Sequence, residues 1–394
     1  MTTRKLLAAF LVAGTLVACS ADPVSEAAPE TVSTPAPVGN ERGSLVSRMA
    51  MGHNDFAVRL LGADATHVVY RSTSASGETG TEVSGVVFTP QGEPPAGGWP
   101  VVSVAHGTTG VTDECAPSLY PNLLGTIGTV APFLERGMVV AVTDYEGIGT
   151  PGPHPYLDPD AAAHNVIDAV RAARNVVPEA GTRWGAIGTS QGGQAVWAAA
   201  ERGDYGDGLD LVGSAALSPT LNLAPMFQPD RVMTLPQILL TPFLVAGLQE
   251  AVPDAAESDY IRGALDTDRR ALTACTDLLG VQKAEAALRL TPADAEPVSE
   301  EARSVMARWL RSVALPRVPT TEPLLVVVGQ QDQLVEPAWT VDAVAQACAM
   351  GDVVDLRVEP EQGHSDQGAV EDGVTWLTDR FDGVPAPNTC QETP

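Results

Sequence analysis

An α/β fold built around a mostly parallel sheet is what this sequence predicts, and three observations predict it. Short, almost wholly apolar runs recur along the chain, as strands covered on both faces must. Amphipathic helical stretches alternate with them, the pattern of parallel strands joined by right-handed crossovers. The 394 residues, 44% hydrophobic and 18% charged, are enough for one large core and exclude a disordered, collagenous or coiled-coil chain.

Residues 1–18 carry Arg4-Lys5 and then an apolar run, Leu6 to Ala18, of 13 residues. A bilayer span needs about 20, so the run reads as a signal-peptide core and not a transmembrane helix. Its end, Leu16-Val17-Ala18-Cys19, resembles the bacterial lipobox, in which cleavage precedes a lipidated cysteine, here Cys19. Residues 19–44, with Pro29, Pro35 and Pro37 and no apolar periodicity, then form a flexible tether. The expected location is the cell envelope, anchored to a membrane surface. Of the five cysteines, Cys115, Cys275, Cys348 and Cys390 remain; an even number in an exported chain suggests two disulfides, with the connectivity open. Their spacing suits no metal site, and no metal or organic cofactor is implied.

Eight strands are expected in the body: His67–Ser72, Val83–Phe88, Val101–Ala105, Met138–Val142, Trp184–Gly188, Val212–Leu217, Leu324–Val328 and Val353–Val358. The first two leave no room for a helix between them and read as an antiparallel hairpin at the sheet's edge. In the stretch Ala161–Val177, Val166, Ile167, Val170, Ala173 and Val177 share one helical face, with Asp168, Arg171 and Arg174 off it. The rhythm breaks between Leu217 and Leu324, where more than a hundred residues replace an ordinary crossover. Apolar helical patterns at Leu235–Leu248, Ile261–Leu279, Ala284–Leu290 and Val305–Val313 make this a helical insert over residues 220–318, dividing the core into 45–219 and 319–394.

The chemistry is concentrated where strands end. Gly188-Thr189-Ser190-Gln191-Gly192-Gly193 places a serine between the fifth expected strand and a helix. G-x-S-x-G in that context is a nucleophile elbow, and the helix N-terminus favours developing negative charge. A serine hydroxyl needs an imidazole to take its proton and a carboxylate to hold the imidazole's tautomer. The α/β-hydrolase fold supplies them in the chain order serine, acid, histidine. Asp332 follows the seventh strand and His364 the eighth, and His364 is the only histidine beyond Asp332. Glu336 and then Glu361 are the rival acids. The oxyanion hole needs one amide after the nucleophile and one after the third strand, hence Gln191 and Thr108; the Thr108 hydroxyl can add to them. His106 reads as a brace for that loop, and His53, His67, His154 and His164 as structural or exposed.

Taken together, Ala105-His106-Gly107-Thr108-Thr109-Gly110, Glu114-Cys115-Ala116-Pro117-Ser118, the run Asp144 to Gly152, Pro155-Tyr156-Leu157 and Gly188 to Gly193 resemble the secretory lipase family of the Candida lipase A type. The resemblance covers roughly residues 45–390. It implies an α/β-hydrolase core with an eight-stranded, mostly parallel sheet, a helical lid in the insert, and hydrolysis of carboxylic esters including triacylglycerols. It also implies disulfides Cys115–Cys275, tying core to lid, and Cys348–Cys390. The lipobox, the tether and the acidity depart from that family.

Lys+Arg number 23 against Asp+Glu 49, a net charge of −26, and no basic run exceeds two residues. Such a chain does not track phosphates, so nucleic acid is not an expected partner. The expected partners are an apolar ester and, through the anchor, a membrane surface, with the protein a monomer. Three functions compete: a serine carboxylesterase or lipase; the same triad used for acyl transfer or polyester hydrolysis; and a non-catalytic surface lipoprotein that binds apolar ligands. The cap's apolar runs suggest that Leu239 and Phe243 roof the acyl site.

Overall fold

The computed structural model describes residues 41–52, 55–276 and 278–391. The expected signal peptide, Cys19, most of the tether and His53 lie outside the described residues.

The strands are β1 Leu45–Ala50, β2 Asp64–Thr73, β3 Thr79–Thr89, β4 Trp99–Ala105, β5 Val139–Thr143, β6 Ala180–Thr189, β7 Asp210–Leu217, β8 Leu324–Gly329 and β9 Val354–Glu359. They form one sheet in the order β1-β2-β3-β5-β4-β6-β7-β8-β9, antiparallel from β1 to the β3–β5 pair and parallel beyond it. This corrects the expected eight strands to nine among the described residues. The extra strand, β1, pairs along an edge, and only its Leu45 is buried. It therefore lacks the apolar signal by which a strand is read from sequence.

Alternation along the strands sorts side chains onto two faces. Val101, Ala105, Val139, Ala141, Leu324, Val326 and Val328 pack in the cluster that includes the helices Pro159–Val176 and Gln191–Ala200. Val102, Val104, Val140, Val142, Leu325 and Val327 face the helices Ile127–Glu135 and Gln367–Phe381. With both faces covered, the parallel strands must be apolar throughout, and the strand ends are left free to carry polar loops.

Between β7 and β8 the chain forms the helices Leu235–Ala251, Gly263–Thr267, Arg269–Leu272, Gly280–Ala287 and Glu300–Ser312. The single helical pattern read at 261–279 is two short helices. The chain leaves the second after Leu272 because Cys275 is bonded to Cys115 and Thr276 N donates to Thr109 O at 2.9 Å. In the insert Ile238, Leu244, Leu248, Tyr260, Leu265, Met306 and Leu310 are buried together, in a cluster shared with Tyr156, Leu157, Val335 and Trp339 of the α/β body. Thr234 and Gln237 form a capping box at the start of its long helix. Their side chains also reach the loop after β8: Thr234 Oγ1 donates to Gln333 O at 2.6 Å and Gln237 Nε2 to Leu334 O at 3.1 Å. Among the described residues no helix is long and apolar enough to cross a membrane.

Candidate active site

Ser190 sits between β6 and the helix Gln191–Ala200 with φ 61° and ψ −118°. A non-glycine residue in such a conformation costs about 1–3 kcal/mol and persists only where its surroundings enforce it. They do so through glycine. A Cβ on Gly188 would run into Gly192 O, and one on Gly192 into Ala105 O, so the turn closes at backbone contact only with glycine at both places. Ser190 N donates to Leu217 O at 2.9 Å, fixing the turn to the end of β7.

The loops after β8 and β9 bring Asp332 and His364 to the serine. His364 Nε2 lies 2.8 Å from Ser190 Oγ, and His364 Nδ1 lies 2.7 Å from Asp332 Oδ2. The other carboxylate oxygen, Oδ1, accepts from Leu334 N at 2.8 Å and Val335 N at 3.0 Å. Asp332 is thus buried, with Oδ1 engaged by two backbone N–H groups and Oδ2 facing the imidazole. That arrangement puts the proton on Nδ1 and leaves the Nε2 lone pair for the serine hydroxyl. The rival acids stand elsewhere: Glu336 is paired with Arg231, and Glu361 is exposed.

The loop after β4 runs against the same serine, a Cβ at Gly107 lying 3.8 Å from Ser190 Cβ. Thr108 follows it. Gln191 opens the helix after Ser190, in the first turn, whose N–H groups have no intrahelical acceptor. His106 is buried, its Nδ1 is 2.6 Å from Gly107 O, and its ring packs tilted against that of Tyr145 with centroids 4.5 Å apart. Desolvation holds it below the ordinary histidine range, so it braces the loop as a neutral ring.

A cavity of about 390 Å³ opens at these groups, lined among others by Thr108, Leu124, Thr129, Ser190, Leu240, Thr276, Leu334 and His364. It falls in the range of small-molecule sites. The insert contributes Leu240 and Thr276. Leu239 and Phe243, expected to roof the site, do not line it: both pack in the apolar cluster that the insert shares with the α/β body, Phe243 with its ring 6.3 Å from that of Tyr156. The disulfides are Cys115–Cys275 and Cys348–Cys390, the pairing that the resemblance implied. The first lies beside the cavity, since Thr276 N and Oγ1 donate to Thr109 O and Thr108 O at 2.9 and 3.1 Å. Sequence reasoning left three polar neighbours of the site without a role there: Tyr145, His154 and Tyr156. The only signal was their place in the Asp144–Tyr156 loop.

The sequence profile described as secretory lipase matches residues 126–389. The chain belongs to the secretory lipase family. A Mycobacterium tuberculosis protein named "probable inactive lipase" is 28% identical over 349 residues, which span 82% of this chain and 74% of the relative. Among solved structures, Candida antarctica lipase A in its closed state is similar with a TM-score of 0.67 at 15% identity, covering 89% of this chain and 85% of that one. The rice cell wall degrading esterase LipA from Xanthomonas oryzae is similar with a TM-score of 0.67 at 20% identity, covering 87% and 97%. At these identities the structural likeness concerns the α/β-hydrolase fold that this family member shares with both.

Proposed function

We propose that the chain is a serine carboxylic-ester hydrolase, a lipase or esterase acting on apolar esters such as triacylglycerols. The observation that carries this is the continuous hydrogen-bond relay Asp332–His364–Ser190, whose Ser190 and His364 line the cavity. Ser190 Oγ attacks the acyl carbonyl while His364 Nε2 takes its proton, and the carbonyl electron pair moves onto oxygen, facing the amides of Thr108 and Gln191. Collapse of this intermediate breaks the ester C–O bond, and His364 hands the proton to the leaving alcohol. Water, losing a proton to Nε2, then attacks the acyl-enzyme, and the acid departs as Ser190 regains its hydrogen. Asp332 holds the imidazole in the tautomer that each proton transfer requires. The chemistry asks for no metal or organic cofactor.

Residues 220–318 are in this reading a lid whose Leu240 meets the acyl chain. Family membership and two disulfides support export. With residues 1–18 as signal peptide, Cys19 carries the lipid anchor; Cys19→Ser then releases active enzyme to the medium, and unchanged membrane fractionation of that variant rejects the anchor.

The test of the chemistry is fluorophosphonate labelling of Ser190 together with turnover of a chain-length series of nitrophenyl esters and triacylglycerols. Labelling that Ser190→Ala abolishes, with measurable turnover, is the expected result. The mycobacterial relative's name favours a second reading, a non-catalytic binder of apolar ligands. An unlabelled Ser190 and no turnover would establish it instead.

A further inference from the structure

Three side chains of the Asp144–Tyr156 loop end on the segments that carry the two oxyanion amides. Tyr145 OH donates to His106 O at 2.9 Å, in the stretch that leads to Thr108. His154 Nδ1 is 2.7 Å from Glu146 O, a carbonyl that only accepts, so Nδ1 carries the proton and Nε2 accepts from Gln191 Nε2 at 3.0 Å. Burial pushes His154 down to about 4, which keeps the ring neutral and this tautomer in place near neutral pH. The third contact is the shortest: Tyr156 OH lies 2.6 Å from Thr108 Oγ1.

The direction of that last bond has a chemical consequence. Tyr156 is fully buried, with the His154 and Phe243 rings beside it, and a buried phenol must place its proton on an acceptor. Among the described residues Thr108 Oγ1 is the partner found for it. Once Thr108 Oγ1 accepts, its own proton turns elsewhere, and Thr108 lines the cavity next to Ser190. The opposite direction would spend the threonine proton on the phenol and leave the phenol proton buried without an acceptor, which is the costlier arrangement.

We propose that the Thr108 hydroxyl is a third, side-chain donor to the oxyanion, and that Tyr156 is the positioning residue that turns it toward the substrate. This rests on the ester-hydrolase reading and deepens it. Thr108 acts on the developing charge and is catalytic; Tyr156 touches no reacting atom and acts through Thr108.

The experiment is steady-state kinetics of Thr108→Val, Thr108→Ser, Tyr156→Phe and the Val/Phe double variant on one nitrophenyl ester, with thermal unfolding of each. Loss of one preorganised oxyanion donor lowers kcat by roughly 10²-fold, so Thr108→Val is expected to fall by that order with KM nearly unchanged. Thr108→Ser keeps the hydroxyl and stays within a few fold of the wild type. Tyr156→Phe loses about tenfold in kcat, and the double variant is no slower than Thr108→Val alone, because the phenol has nothing left to orient. A merely structural tyrosine gives multiplying losses and a Thr108→Ser as slow as Thr108→Val, and either result overturns the proposal. If Thr108→Val unfolds, Tyr156→Phe and Thr108→Ser decide through kcat against KM. Wild-type protein that neither labels nor turns over removes the ester reading and this inference with it. Active wild type with an unimpaired Thr108→Val removes this inference alone.

Discussion

Asp332→Asn is the sharpest perturbation of the relay, because the surroundings dictate how the amide must sit. Oδ1 receives two backbone N–H groups, from Leu334 and Val335, at 2.8 and 3.0 Å. An asparagine must keep its carbonyl oxygen there, since turning its NH₂ toward two donors would forfeit both bonds. Its NH₂ then faces His364 Nδ1, where the carboxylate oxygen stood at 2.7 Å. Nδ1 becomes an acceptor, the imidazole proton moves to Nε2, and Nε2 faces Ser190 Oγ with a hydrogen instead of a lone pair. The fold keeps its two loop hydrogen bonds, so the cost in stability is about 1–2 kcal/mol. The cost in rate is far larger: the same change in serine proteases lowers kcat about 10⁴-fold, equivalent to about 5 kcal/mol of barrier. The assay is pre-steady-state and steady-state hydrolysis of a short nitrophenyl ester, with circular dichroism to show that the fold persists. Glu336→Gln is the control and should retain activity, because Glu336 is engaged with Arg231. A loss below tenfold for Asp332→Asn, or an abolished turnover in Glu336→Gln alone, would refute the assignment of the acid.

Leu240→Ala should lower turnover of long acyl esters while leaving acetate nearly untouched, since Leu240 lines the cavity and each CH₂ buried against it contributes about 0.8 kcal/mol; equal loss on both esters rejects the acyl-wall role. Phe243→Asp, in contrast, should lower the unfolding temperature and impair all esters alike, because Phe243 is buried in the apolar cluster between the insert and the α/β body. Removing both Cys115 and Cys275 by alanine opens a link of sequence separation 160. The entropic model gives a loss of about 5 kcal/mol, measured by urea unfolding under oxidising conditions, and a loss under 1 kcal/mol contradicts it. Finally, His154 is held down to about 4 in the folded state against 6.5 for the free group, so the unfolded chain binds more protons between those values. Stability from this residue is therefore full above about pH 6.5 and drains away as pH falls toward 4, by at most about 3 kcal/mol. His154→Gln should flatten that acid limb of the unfolding midpoint, and an unchanged limb shows that another group governs it.

The apolar strands and the three loops carrying Ser190, Asp332 and His364 could be read from the sequence because each rests on a local pattern: a buried parallel strand is greasy throughout, and the polar residue just past its end stands out. β1 could not, since five of its six residues face outward and nothing in Leu45–Ala50 alternates. The helix Leu235–Ala251 posed the opposite difficulty. It is apolar almost all round, so periodicity does not say which face meets the cavity, and the step from Leu239 to Leu240 turns a side chain by about 100°. The contact between Tyr156 and Thr108 joins residues 48 apart, and no spacing rule connects them. Four cysteines without metal-like spacing left the disulfide pairing open, and only the family resemblance chose between the possibilities.

The insert also governs when the three side chains of the relay can meet. Ser190 precedes it in the chain, whereas Asp332 and His364 follow it, and the imidazole meets the hydroxyl across a sequence separation of 174 residues. β7 and β8 are adjacent parallel strands, so everything between them must be looped out before β8 can dock and carry the acid into place. Thermodynamically this is mild, because loop-closure entropy grows only with the logarithm of length. In time it is not, because long-range parallel pairings are slow to form and β8 is synthesised only after β7 and the whole insert. A nascent chain in which β8 has not yet docked thus has Ser190 without the imidazole that lies beside it in the folded protein.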